Sequence, residues 1–302
     1  MTMQPESQTV VDPQATEKPA AGDPIALICG GGSFPGAVAD AVVLRGRRPV
    51  MFAIKGWADP NVVEQHSHHW IALGQFGRFL RLARTEQCRD VLFIGTLLRP
   101  PLSQIRLDWQ TIRLMPRIAQ SFRGGDDRLL SGMAQIMEDE GLRIVGLNSV
   151  APEVTVPEGV LGRSQPSPSD RSDIARALDL LATLGSFDVG QAAVVANNHV
   201  LAVEAAEGTD NMLRRVAELR GQGRVTTPQG VGVLVKAPKP SQDRRFDLPA
   251  IGPQTIANVV NAGLAGVAVA AGNTIIADAA EVITAADRAK IFVVGVSQDP
   301  AL

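Results

Sequence analysis

"PIALICGGGSFPGAVADAVVLRGRRPVMFAI", residues 24–54, decides how the rest of the chain is read. "PIALIC" is a short, unbroken apolar run bounded by glycines, the pattern of a strand buried on both faces. Three glycines follow. "FPGAVADAVVLRG" then reads as a helix closed by Gly46, and "RPVMFAI" as a second strand. Apolar strands separated by a helix indicate a parallel sheet covered on both faces.

The same alternation continues outward. "FGRFLRLARTEQC" (76–88) places Phe76, Phe79, Leu80 and Ala83 on one helical face, and "DVLFIG" (90–95) gives a third strand. "DDRLLSGMAQIMEDEG" (126–141) predicts a helix with Asp126 and Asp127 at its positive end, followed by the strand "LRIVGL". Residues 151–170, within "APEVTVPEGVLGRSQPSPSDRSD", are rich in Pro, Gly and Ser and read as a linker between a domain at 24–150 and a second at 171–302. The second opens with the helix "DIARALDLLATLG". "QAAVVA", the turn "NNH" and "VLAVEA" then make a hairpin pattern. "GVGVLV", "GVAVAAG", "TIIAD" and "KIFVVGV" add strands, with helices near 209–219 and 253–262.

Composition excludes several classes. The 302 residues suit roughly two domains, and 45% apolar with 20% charged is ordinary globular usage. A net charge of −2 without a Lys/Arg stripe argues against nucleic acid as a partner. Two cysteines, Cys29 and Cys88, lack metal spacing and read as buried thiols in a reducing cytoplasm. Residues 1–23 read as a disordered extension or a cloning remnant, without the apolar run of a signal peptide. No apolar segment has the length of a membrane span, and no basic amphipathic helix is evident that would give strong membrane binding.

Three segments carry chemistry. The "GGGSFP" turn (30–35) lets backbone N–H groups of Gly31, Gly32, Ser33 and Phe34 approach an anion at a helix N-terminus, although it matches neither dinucleotide nor P-loop motifs. "VEAAEGTD" gathers Glu204, Glu207 and Asp210 beside Gly208 and Thr209; Thr209 or Asp210 would cap the next helix, which leaves the other acids unexplained. "KAPKPSQDRRFDLPAIGPQT" (236–255) sets Lys236, Lys239, Gln242 and Arg244 beside Asp243 and Asp247 on a proline-stiffened loop. Carboxylates four residues apart can hold a hard divalent cation or polarise water, while lysine and arginine neutralise phosphate oxygens. Such mixed charge suits phosphoryl chemistry. By contrast, "EQHSHHW" (64–70) has poor zinc spacing and reads as a surface loop, and no serine sits in a nucleophile elbow.

Taken in order, "GGGSFP", "RPP", "GGDD", "VEAAEGTD" and "KPSQDRRFDLPAIGPQTI" resemble the LpxI-type UDP-2,3-diacylglucosamine pyrophosphatases of lipid A biosynthesis, from about Ile25 to Val294. One departure is "GTLLRPPL", where a lysine is expected near Thr96. The resemblance implies a Rossmann-like N-terminal domain, a C-terminal mixed α/β domain, and substrate between them. It also implies magnesium-assisted attack of water on the phosphorus nearer the sugar, giving UMP and 2,3-diacylglucosamine 1-phosphate (lipid X). The family's catalytic aspartate falls in "QDRRFD", hence on Asp243 or Asp247; spacing does not separate them, and Asp243 is favoured.

The resulting expectation is a cytoplasmic α/β hydrolase with transient contact to the inner membrane and a homodimeric assembly. Asp243 and Asp247 would hold Mg2+ or orient water, with Lys236, Lys239, Gln242 and Arg244 on the phosphates. The rival readings are a nucleotide-sugar transferase and a non-catalytic nucleotide-sugar or lipid binder.

Overall fold

The computed structural model describes residues 22–32, 34–95, 105–121, 126–240, 242–246 and 248–297. The expectations for residues 1–21, Ser33, Arg99–Pro101, Gly124, Gly125 and Asp247 therefore lie outside the described residues.

The first half builds one parallel sheet. Strands β1 (Pro24–Cys29), β2 (Arg48–Ile54), β3 (His68–Ile71), β4 (Asp90–Ile94) and β5 (Arg143–Ile144) stand in the order β3-β2-β1-β4-β5. Every pairing is parallel, with Ile25 opposite both Pro49 and Asp90. Helices α1 (Phe34–Leu44), α2 (Pro60–Val63), α3 (Phe76–Thr85), α4 (Trp109–Ser121), α5 (Asp126–Asp139) and α6 (Leu147–Val150) alternate with them. Period-two alternation explains the layers: Ile25, Leu27 and Cys29 pack against Val38 and Val42 of α1, while Ala26 and Ile28 join Phe79 and Leu80 of α3 on the other face. This is a three-layer, Rossmann-like sandwich. At its amino edge Asp90, almost wholly buried, accepts from Arg47 at 2.8 Å and Arg143 at 2.7 Å and so pins β4 between the starts of β2 and β5.

The second half builds a mixed sheet. Its strands are β6 (Gly159–Leu161), β7 (Ala192–Ala196), β8 (His199–Val203), β9 (Val233–Lys236), β11 (Gly266–Ala270) and β13 (Phe292–Val296), in the order β6-β13-β11-β9-β7-β8. The central three are parallel and the outer ones antiparallel. A short parallel pair, β10 (Ala250–Ile251) and β12 (Ile275–Ile276), stands apart. Helix α7 (Pro168–Gly185) covers one face through Ile174, Ala177 and Leu181. Helices α8 (Gly208–Gly221), α9 (Pro253–Asn261) and α10 (Ala279–Ala289) cover the other through Met212, Val216, Ile256 and Val282.

Three sequence expectations change. The stretch 151–170, read as a linker, holds a 3-10 turn (Pro152–Val154), strand β6 at the sheet edge, and the Ser167–Asp170 capping box that starts α7. Its Pro/Gly/Ser content hid a three-residue strand. "HHWI", read as surface loop, is the edge strand β3, where His69 bonds Glu86 at 2.9 Å. Helix α4 contains Pro116, which masked it, and its Arg-rich amphipathic face corrects the reading that no such helix exists. Both described cysteines are free and buried, and burial pushes the Cys88 thiol up to about 11.

The β7–β8 hairpin turns on Asn197 and Asn198, both left-handed (φ 49° and 62°), as a tight two-residue turn requires. Asp173, 1% exposed on α7, accepts from the N–H groups of both, at 2.9 and 2.7 Å. Because these bonds go to a carboxylate, Asp173→Ala is expected to lower stability by about 3 kcal/mol, measured by urea unfolding.

Candidate active site

The order β3-β2-β1-β4-β5 reverses direction between β1 and β4, and the crevice outside the carboxyl ends of strands at such a switch point is where open α/β sheets bind ligands. There the chain turns through Gly30, Gly31 and Gly32. Gly30 donates to the Ile94 carbonyl at 2.9 Å, and Gly32 has φ 95°. Gly95, at φ 90°, lies so close that an added Cβ would stand 2.7 Å from the Gly31 oxygen. The two turns thus pack backbone on backbone, an approach that only glycine allows. Phe34, expected at a substrate, instead begins α1 and packs on the core beneath.

From the second domain, residues 237–249 leave the carboxyl end of β9 and cross to the first domain. The Phe246 ring lies 5.1 Å from that of Phe93 on β4. Arg244 and Arg245 border Gly146, just beyond β5. Leu248 and Ala250 then pack into the first domain's core beside Ile275. The charged loop therefore links the carboxyl ends of the first sheet to those of the parallel central strands of the second.

Asp243 is central to that loop. Its Oδ1 accepts from the Arg245 N–H and Nε, both at 3.0 Å, and its Oδ2 from Nη2 at 2.8 Å. Arg245 also donates through Nη1 to Glu138 of α5 at 3.0 Å, so one guanidinium joins carboxylates from both domains. Burial works to raise the Asp243 carboxyl, but the hydrogen bonds from Arg245 outweigh it and hold it below the usual carboxylate range. Arg244 points the other way, its Nη1 3.3 Å from Asn273 Oδ1.

The remaining candidates gather at the same end of the second sheet. Glu204 follows β8 and accepts from the Gln191 N–H at 3.1 Å and from Thr209 Oγ1 at 2.9 Å. Gln191 in turn accepts from the N–H of Ala237, next to Lys236. Glu207 pairs with Arg215 at 2.7 Å and is itself the N-cap of α8, without a side-chain capping bond. Thr209 and Asp210 are thus not the caps expected from the sequence; Asp210 accepts from Asn258 of α9 at 2.8 Å. Gly208 opens α8 at φ 77°.

Two expected phosphate ligands have structural bonds. Lys236 is 8% exposed, and its Nζ donates to the Ala250 carbonyl at 2.9 Å, bracing both ends of the loop. Gln242 is buried, its Oε1 accepting from the Lys239 N–H at 3.0 Å. Lys239 pairs with Asp188. Sequence reasoning missed Arg245, Glu138, Asp188, Asn273 and the Phe93–Phe246 contact, all of which depend on folding distance. Only the doubled arginine in "QDRRFD" offered a signal.

The sequence matches the LpxI N-terminal domain over residues 24–154 and the LpxI C-terminal domain over residues 157–294. The chain belongs to the LpxI family. A protein of Caulobacter vibrioides named UDP-2,3-diacylglucosamine pyrophosphatase LpxI is 40% identical over 272 residues, covering 90% of this chain and 97% of that one. The biotin carboxylase domain of the Hydrogenobacter thermophilus 2-oxoglutarate carboxylase aligns with 70% of this chain and 43% of its own at 11% identity and TM-score 0.21, too low to bear on fold or function. The two LpxI matches meet where the chain passes from the first sheet's layers to β6.

Among the described residues no group of three His, Cys, Asp or Glu side chains converges as a metal centre. Magnesium needs less: it commonly takes one or two carboxylates and completes its sphere with phosphate oxygens and water. Asp243, anionic and partly exposed at the crevice, fits that role once it exchanges its bonds to Arg245.

Replacing Arg245 tests the pairing. In Arg245→Ala the burial of Asp243 and the bond from the residue 245 backbone N–H remain while the guanidinium bonds and charge go, so its carboxyl is expected to titrate at higher pH. A depressed aspartate stabilises the fold at pH above its unfolded value of about 3.9 and loses that contribution as pH falls through the folded value. The wild type should therefore resist acid to a lower pH than the variant, read by carboxyl-carbon NMR titration and by acid unfolding.

Proposed function

We propose that this protein hydrolyses UDP-2,3-diacylglucosamine at its pyrophosphate, releasing UMP and 2,3-diacylglucosamine 1-phosphate. LpxI membership across both domains, with a relative of nearly equal length bearing that activity in its name, carries the reading. The crevice supports it, because a substrate with two phosphates needs a mixed-sign surface that already holds its charges in place.

In this reading the backbone at Gly31 and Gly32 faces one phosphate and Lys239 and Arg244 balance the other, giving up Asp188 and Asn273 as substrate enters. Water attacks the sugar-side phosphorus. A bond forms from the water oxygen to that phosphorus, and the bond to the bridging oxygen breaks, leaving with UMP. With its lone pairs taken up by a cation, Arg245 or magnesium, Asp243 acts by orienting water and by charge, and the proton the water loses passes to solvent. Magnesium held by Asp243 and substrate oxygens would supply further charge neutralisation at the breaking linkage. Asp247 remains a candidate second carboxylate. Homodimerisation and a cytoplasmic site of action at the inner membrane complete the proposal.

Asp243→Asn is expected to lower turnover by about 10²- to 10⁴-fold while keeping substrate affinity within a few-fold. UMP release is to be followed without any acceptor, so that a transferase gives none and a simple binder gives none with either protein. In heavy-oxygen water the label should enter 2,3-diacylglucosamine 1-phosphate and not UMP; label in UMP would overturn attack at the sugar side. Chelation should abolish turnover and added Mg2+ restore it; full activity in chelator would remove the metal from the scheme.

A further inference from the structure

Helix α4 carries an apolar surface that the crevice does not use. Trp109 is 74% exposed, Ile112 47% and Met115 39%, and Leu107 just before the helix is 47% exposed. At about 100° per residue the three helical side chains fall on one contiguous arc, with Pro116 between them. Arg113 and Arg117 follow along the edge of that arc, both exposed, Arg117 in an ion pair with Asp139 of α5 that a lipid phosphate would have to displace, and Arg106 is exposed ahead of the helix. The opposite side holds buried Thr111 and half-buried Leu114. An apolar stripe with Trp, flanked by arginines, is the composition of a helix that lies in a lipid interface. Beside the arginine edge, a cavity of about 530 Å³ between α3 and α4 is lined by Arg81, Arg84 and Gln110.

The surface is held firmly. Asp108 accepts from the Thr111 N–H and hydroxyl at 2.9 and 2.7 Å and from the Arg78 N–H at 2.9 Å, locking the start of α4 to α3. Arg106 donates its N–H to the Leu73 carbonyl at 2.9 Å. Leu73 lies just past the carboxyl end of β3, so the helix begins at the same end of the first sheet as Gly31, Gly95 and the crevice.

We propose that this face of α4 docks the protein on an anionic phospholipid bilayer, with Leu107, Trp109, Ile112 and Met115 entering the acyl boundary. Arg106, Arg113 and Arg117 meet lipid phosphates, their stems lying along the apolar stripe. Among the described residues no helix is long and apolar enough to cross a membrane, so attachment is in the plane of the surface. Docking at the carboxyl end of the sheet brings the crevice to the bilayer, where a diacyl substrate need not leave the lipid fully. That last consequence rests on the proposed function; the surface itself rests on exposure and charge.

Sedimentation with substrate-free vesicles tests it. The full chain should pellet with vesicles of phosphatidylglycerol and phosphatidylethanolamine, not with phosphatidylcholine alone, and less as salt rises from about 0.1 M to 1 M. Trp109→Asp and Arg113→Glu, both at exposed positions, should each lower partitioning about tenfold or more. Leu44→Asp, at an 86% exposed leucine on the far end of α1, should leave it unchanged. Wild-type protein that stays in solution, pellets equally with neutral lipid, or binds as well in both variants overturns the proposal. So does a dimer in sedimentation velocity that Trp109→Asp dissociates, since the face would then belong to a second copy. Vesicle binding without UMP release would sink the pyrophosphatase reading and leave this one standing.

Discussion

One guanidinium joins the two halves of this protein. Arg245 holds the Asp243 carboxylate on its own loop and reaches Glu138 on α5, while its neighbour Phe246 stacks near Phe93 at the carboxyl end of β4. An exposed ion pair contributes little stability by itself. Here the pair stands beside an aromatic contact and a loop anchored at both ends, by Lys236 to Ala250 and by Leu248 and Ala250 in the first domain's core. Those contacts together fix where Asp243 stands relative to the glycine turns.

The topology explains why a loop of the second domain is the one that does this. Parallel strands send every connection out of their carboxyl ends, so binding groups accumulate there in each sheet. The central strands of the second sheet are parallel and deliver Lys236 and Asn273 to one edge; the antiparallel hairpin β7–β8 returns Glu204 to the same edge. The outer strands could run the other way without harm, because neither β6 nor the β8 hairpin carries the charged loop. With 237–249 bridging the gap, two carboxyl-end rims become one site.

Much of this was legible in residues 24–54, where apolar runs and glycines fix strand, turn, helix and strand without reference to anything distant. The "NNH" turn was legible for a similar local reason, since asparagine tolerates the left-handed backbone that a two-residue hairpin demands. Features with weak local signals were lost. Strand β6 is three residues in a Pro/Gly-rich stretch, β3 begins with two histidines, and α4 survives Pro116 in its interior. At the candidate site, the sequence singled out the charged segment and assigned roles by residue type. Lys236 and Gln242 read as phosphate ligands by residue type, and only packing reveals that both are buried and bond within the loop itself. Arg245, to which the sequence assigned no role, diverges from Arg244: it turns toward Asp243 and Glu138, and Arg244 toward Asn273.

That divergence gives meaning to the mixed charge on the loop. Lys239 is matched by Asp188, Arg245 by Asp243 and Glu138, and Glu207 by Arg215. The crevice therefore holds its cations in fixed positions without net repulsion, which lowers the reorganisation needed when a polyanion arrives. In the proposed function, a diphosphate would compete with the resident carboxylates for those cations, and each exchange would free a carboxylate as phosphate charge arrives. A freed Asp243 beside two phosphates would be strongly disfavoured unless something cationic or a proton-bearing water came with them. Under that proposal the arrangement would tie the arrival of substrate to the recruitment of the species that attacks it, with the proline-stiffened backbone limiting how far Asp243 could swing away.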